Sequence, residues 1–172
     1  MIGGKMISER MANELNKQIN AELYSSYLYL SMASYFEANG FKGFAAWMRT
    51  QANEEYEHAM KFYDYLIDVG GRVVLEAIDK PQTEWASPLD VFESAKKHEI
   101  YVTELINNLV AVSIEEKDYA TNIFLQWFVT EQIEEVATVS EIIDKFKMIG
   151  EKNESLYFLD KELGERQTSV TN

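Results

Sequence analysis

Along this chain, apolar and polar positions recur with the 3–4 spacing of helices that each bury a single stripe. The first stripe reads Met11, Leu15, Gln18, Glu22, Ser25, Tyr29, Met32 and Phe36. The second reads Phe44, Met48, Gln51, Glu55, His58, Phe62, Tyr65 and Val69. A third holds Phe92, Ala95, Glu99, Val102, Ile106 and Leu109, and a fourth Leu125, Phe128, Gln132, Glu135, Val139, Ile142 and Phe146. Residues spaced this way share one helix face. Local punctuation sets the ends. Ser8 is an N-cap residue, Asn39-Gly40 and Gly70-Gly71 are stop signals, and Ser87-Pro88-Leu89-Asp90 supplies a cap, a first-turn proline and an acid. The pattern predicts helices over 8–38, 42–69, 88–115 and 118–148, and a shorter fifth over 153–163.

Connection lengths turn these helices into an architecture. The first and third turns are short, so each joins an antiparallel pair. About 17 residues without helical pattern separate the second helix from the third. Fully extended, such a linker reaches about 55 Å, enough to run the length of a helix of about 42 Å. The expected fold is therefore all-α, a four-helix bundle with a long crossover and a short C-terminal helix, spanning residues 1–172 as a single domain.

In each stripe the apolar run is broken by potential ligands at one depth only. Glu22 lies 18 residues before Gly40, with Glu55 and His58 15 and 18 after it. Glu99 lies 18 before Lys117, with Gln132 and Glu135 15 and 18 after it. At about 1.5 Å per residue, all lie roughly 22–27 Å from their own turn. A shift of 77 residues carries Glu22 to Glu99, Glu54 to Glu131, Glu55 to Gln132, Glu57 to Glu134 and His58 to Glu135. Glu55 and His58, three apart, project from one helix face, and a carboxylate beside an imidazole suits iron among first-row metals.

A metal-free bundle would have to bury four carboxylates in one layer, with no Lys or Arg on the seam at that depth. Buried unpaired carboxylates cost several kcal/mol each, and their mutual repulsion adds to that. Divalent cations remove both penalties. The formal charge of −13 argues against a nucleic-acid partner and is compatible with cation attraction. With no cysteine, disulfides, thiolate zinc and a rubredoxin-like iron site are excluded. No apolar run approaches a membrane span, and Met1 to Met11 lacks a signal-peptide core. A cytoplasmic protein is expected, with Met1-Ile2-Gly3-Gly4-Lys5 as a short disordered extension.

One Glu from each of two helices, with Glu-x-x-His from the others, is the donor pattern of ferritin-like di-iron proteins. The match is a resemblance, and this chain departs from it by carrying Gln132-x-x-Glu135 in the second half. Longer runs make the resemblance specific: Ala21-Glu22-Leu23-Tyr24-Ser25-Ser26-Tyr27, Glu54-Glu55-Tyr56-Glu57-His58-Ala59, Phe124-Leu125-Gln126-Trp127-Phe128 and Leu156-Tyr157-Phe158-Leu159-Asp160-Lys161-Glu162-Leu163. Together they are similar to prokaryotic non-haem ferritin over residues 6 to 165. The resemblance implies iron storage with ferroxidase activity: Fe(II) and dioxygen as substrates, and ferric oxyhydroxide held in a homo-24-mer cage. It implies one iron on Glu22, Glu55 and His58, and a second on Glu55, Glu99 and Glu135 with Gln132 beside it. Lacking a nitrogen ligand, the second should bind more weakly. A third iron would use Glu54, Glu131, Glu134 and Glu135.

The resemblance also gives Tyr29 a hydrogen bond to a carboxylate of the second iron and an electron-donating role, where core packing is the plainer reading. Trp127, one turn before Glu131, resembles the family's tryptophan near the site, though core packing alone would explain it, and His98, about 100° from Glu99, is expected at the surface. Related bacterioferritins bind haem through a methionine close behind the glutamate. Tyr56 stands in that place, so no haem is expected. Two other functions fit the seams: a di-iron oxidase or peroxidase with another substrate, and a metal-free interaction bundle.

Overall fold

The computed structural model describes residues 6–150 and 152–165. The N-terminal extension named above lies outside them, as do residues 151 and 166–172. Five helices carry the chain: α1 (Glu9–Ala38), α2 (Lys42–Asp68), α3 (Pro88–Glu115), α4 (Tyr119–Ile149) and α5 (Asn153–Glu165). Their bounds fall within two residues of those the pattern predicts. The caps explain why. Ser8 Oγ accepts from Met11 N, Ser87 Oγ from Asp90 N, and Asp118 from Thr121 N, satisfying donors that a helix start leaves open. Left-handed residues end the helices at Gly40 (φ 82°), Gly70 (φ 78°) and Gly150 (φ 70°), and at Lys117 (φ 57°).

Helix α2 starts differently. Its N-cap Phe41 has no side-chain bond, and Asp160 of α5 supplies the acceptor, taking the Phe44 N–H at 2.8 Å. A Cβ on Gly43 would sit 1.7 Å from the Asp160 carbonyl oxygen, so only glycine allows α5 this close. The short helix thereby gains the tertiary support it needs, and it buries Leu156, Leu159 and Leu163.

The crossover from α2 to α3 lies along α1. Asn16 holds the Arg72 carbonyl and the Val74 N–H, Asn20 the carbonyls of Glu76 and Ala77, and Ser31 that of Gln82. The linker therefore climbs α1 from its first turns toward its end, and α3 runs parallel to α2. Two apolar clusters fill the bundle. One gathers Phe36, Phe44, Trp47, Phe92 and Phe146 with α5, the other Met11, Leu15, Phe62, Leu109 and Phe128. The polar layer separates them.

The seam is as expected except toward the end of α2, where Leu66 is fully buried and Tyr65 only partly so. A strict 3–4 stripe rotates slowly around a straight helix, and by that point the inward position has passed to the next residue. Among the described residues no helix is long and apolar enough to cross a membrane.

Candidate metal centre

Glu22, Glu55, His58, Glu99, Gln132 and Glu135 are all buried between the two apolar clusters. Their donor atoms form three overlapping groups. Glu22, Glu55 and His58 make one, Glu55, Glu99 and Glu135 a second, and His58, Glu131 and Glu135 a third, with the atoms of each within 4.8 Å of one another. Glu55 belongs to two groups because it projects between its neighbours from α1 and α3.

Amides and a phenol brace these carboxylates. Gln18, one turn before Glu22, donates to Glu22 Oε1 at 2.7 Å. Gln51, one turn before Glu55, reaches across to Glu135 Oε2 at 2.9 Å. Tyr29 donates to Glu99 Oε1 at 2.5 Å, and Gln132 Nε2 lies 3.2 Å from both Glu99 Oε2 and the Glu99 carbonyl. In this pose Gln132 supports a carboxylate with its amide N–H.

As ionised carboxylates, the fully buried Glu22 Oε2 and Glu55 Oε1 have no donor among the described side chains, and without a metal the two carboxyls hydrogen-bond only by sharing a proton. Such oxygens are costly to leave unpaired, and a cation between them would satisfy both.

Electrostatics tell the same story. Burial raises the Glu22 carboxyl to about 7, against the lowering effect of Gln18 and Glu55. Burial, followed by the charge of Glu99, takes Glu135 to about 8. Glu55 is pushed well above the ordinary carboxylate range by burial and then by Glu99, Glu22 and Glu135. Burial also raises Glu99, partly offset by Tyr29 and Gln132. The layer thus takes up protons when it holds no metal. His58 is pushed down to about 4, chiefly by burial and then by the Lys61 charge. It is a neutral imidazole near pH 7, and its contacts at 3.5 Å to Glu55 and 3.9 Å to Glu131 are not ion pairs there.

Of the four residues expected to hold a third iron, Glu131 and Glu135 share one compact group. Glu131 is half-buried and joins His58 and Glu135, while Glu54 and the exposed Glu134 fall outside the compact groups. Both still act by charge, Glu54 on Glu135 and Glu134 on Glu131. His98 departs from its expected surface position. It is half-buried, its Nε2 lies 2.7 Å from Ser25 Oγ, and burial lowers it to about 4. About 100° around α3 from Glu99 lies the α1–α3 groove rather than open solvent.

Trp127 is 41% exposed, so core packing does not account for it. Its ring stands edge-on to His58 at 5.4 Å between centroids, and Lys61 Nζ lies 3.2 Å from its ring centroid. The bracing roles of Gln18 and Gln51 went unassigned in the sequence. Their signal was a polar residue on the seam one turn before each ligand.

A crossover bundle with carboxylates and one imidazole gathered at mid-height has the form of the helical carboxylate metal proteins. Residues 12–149 match the family model of the ferritin-like domain, and the chain belongs to that family. It is 48% identical over 161 residues to a bacterial non-heme ferritin of Bacteroides fragilis (strain 638R), covering 94% of this chain and 100% of that one. Against a bacterial non-heme ferritin of Escherichia coli O6:H1 the identity is 40% over 163 residues, covering 95% and 99%. A solved open pore ferritin from the hyperthermophilic archaeon Archaeoglobus fulgidus matches with a TM-score of 0.92 and 54% identity, covering 93% of this chain and 98% of that one.

Proposed function

We propose that this chain is an iron-storage ferroxidase. Two Fe(II) ions bind as substrate at mid-bundle, one on Glu22, Glu55 and His58, the other on Glu55, Glu99 and Glu135, with Glu55 between them. Each ion gives up one electron, and dioxygen takes both together with two protons, reaching the level of hydrogen peroxide. The ferric product passes to the interior of a 24-subunit cage and is stored as hydrated oxide. A third ion is held by Glu131 and Glu135, helped by the charges of Glu54 and Glu134. Tyr29, bonded to Glu99, and the third ion would each supply one further electron, which with two protons takes the peroxide on to water.

The observation that carries this reading is the pair of donor groups sharing Glu55, together with the buried Glu22 Oε2 and Glu55 Oε1, which have no donor when ionised. Ion binding would release the protons that burial keeps on these carboxyls, and the second ion, lacking a nitrogen ligand, would leave more readily. The relatives' names, non-heme ferritin, support the same assignment.

The test is addition of excess Fe(II) in air to the metal-free protein, with iron counted and the product sized. Iron far beyond a few ions per chain, soluble in one large particle, is the expected result. Oxidation that stops near two ions per chain on a small species would replace storage with a di-iron oxidase.

A further inference from the structure

Glu22, Glu55 and Glu99 are fully buried, so an ion needs a way to them, and a cavity lies beside Glu22. Between α1 and α3, next to the crossover, is a space of about 370 Å³. Exposed Lys17 and Asp79 line it together with Glu14, while Gln18, Tyr24 and His98 form its more buried wall. Glu14 is paired with Lys17 at 2.7 Å, leaving Asp79 as the uncompensated charge of the three.

Gln18 links this space to the centre. It lines the cavity, and its amide donates to Glu22 Oε1 at 2.7 Å, so a single side chain spans the gap to a carboxylate of the metal layer. His98 lines the same space from α3. Ser25 Oγ, on the Glu22 seam, donates to the Ala21 carbonyl, so His98 donates its Nε2–H to Ser25 and keeps the Nδ1 lone pair for a ligand.

We propose that this cavity is the antechamber through which divalent cations reach the buried carboxylates, with His98 as a transit ligand and Gln18 as the side chain that moves aside. The proposal rests on the metal-centre reading above. An entry site must hold an ion strongly enough to collect it and weakly enough to pass it on. One imidazole and an amide meet that requirement, whereas Glu22, Glu55 and His58 offer two carboxylates and an imidazole. Imidazole also suits first-row ions over calcium or magnesium, so the antechamber would select before the centre does.

The chain has no cysteine, so Asn108→Cys places a single thiol on the cavity lining. In the assembled protein that thiol is capped with a methylthio or a bulkier benzylthio group, and anaerobic Co(II) entry is followed by stopped-flow absorbance. The benzylthio cap is expected to slow entry at least about tenfold relative to the methylthio cap, with the same final Co(II) stoichiometry. Equal rates under the two caps would overturn the proposal, as would a thiol that cannot be capped in the assembled protein. His98→Leu is expected to slow entry several-fold without changing the endpoint, and an unchanged rate removes His98 from the route. Co(II) that fails to bind even uncapped protein would instead sink the metal-centre reading. Cap-dependent Co(II) entry without Fe(II) oxidation would leave the route standing and reject the ferroxidase.

Discussion

Lay the α1–α2 hairpin over α3–α4 with a displacement of 77 residues, and the same helical plan carries two different chemistries. Glu22 falls on Glu99, but Glu55 falls on Gln132 and His58 on Glu135. The supporting residues differ more sharply. Gln18, Tyr29 and Gln51 fall on Ala95, Ile106 and Phe128, which have no donor to offer. Two of the donors that brace second-half carboxylates, Tyr29 to Glu99 and Gln51 to Glu135, therefore come from the first half. A repeated backbone has been given one better-equipped half, and the other borrows from it. In function, the half with the imidazole is suited to hold an ion, and the half without it to let one go.

The largest way to break this comparison is to remove what the halves share. Glu55→Gln is expected to lower the initial rate of Fe(II) oxidation more than about a hundredfold, because it weakens both donor groups at once. It should also abolish the rise in melting temperature that Zn(II) gives the parent. Calorimetry in chelator should show the variant at least as stable as the parent, since a buried unpaired carboxyl has gone. A variant that still oxidises iron at the parent rate would show that Glu55 does not bridge two ions.

The next is to equalise the halves. Gln132→Glu with Glu135→His writes the first-half motif into the second. The weaker ion should then bind about 10–100-fold more tightly in a calorimetric titration, and iron turnover should slow as release slows. Unequal sites that persist in the double variant would place the asymmetry outside these two positions.

Changing pH tests the layer without mutation. Glu22, near 7, and Glu135, near 8, hold protons in the folded state that a solvated chain has lost above about 4.5. A carboxyl raised on folding stabilises the fold less as pH climbs, until pH passes its folded value. His58 and His98, lowered to about 4, act in the opposite sense between about 4 and 6.5, where an unfolded histidine still binds a proton. The metal-free melting temperature should therefore fall most clearly from pH 6.5 to 8, and saturating Zn(II) should flatten that fall. A flat metal-free profile would mean that the carboxyls are not buried together.

The smallest effect is at the turns. Gly40 falls on Lys117, and both are left-handed, with φ 82° and 57°. A side chain in that conformation costs about 1–2 kcal/mol, against which glycine's extra unfolded-state freedom counts. Lys117→Gly should gain up to about 1 kcal/mol in denaturant unfolding and Gly40→Ala should lose about as much. Opposite signs sharpen the equivalence of the two turns.

Helix bounds, crossover and the depth of the ligands were legible in the sequence because period, caps and chain length are local or additive quantities. What lay between helices was not. His98 was assigned from its angle on one helix, and nothing local says that Ser25 of another helix waits at that angle. Trp127 is exposed and Lys61 lies off the seam, so nothing local in the sequence says that Trp127 meets the His58 ring edge-on or that Lys61 sits over the Trp127 ring. Glu54 and Glu134 act on Glu135 and Glu131 by charge without joining the compact donor groups, a distinction of side-chain reach that spacing along the chain does not carry.

The central claim is two unequal ions sharing Glu55. Anomalous scattering from crystals soaked in a graded Zn(II) series measures this directly. The account predicts one strong peak among Glu22, Glu55 and His58 at the lowest concentration, and a second among Glu55, Glu99 and Glu135 that fills only later. Two peaks filling together, or a first peak away from Glu55, would contradict it.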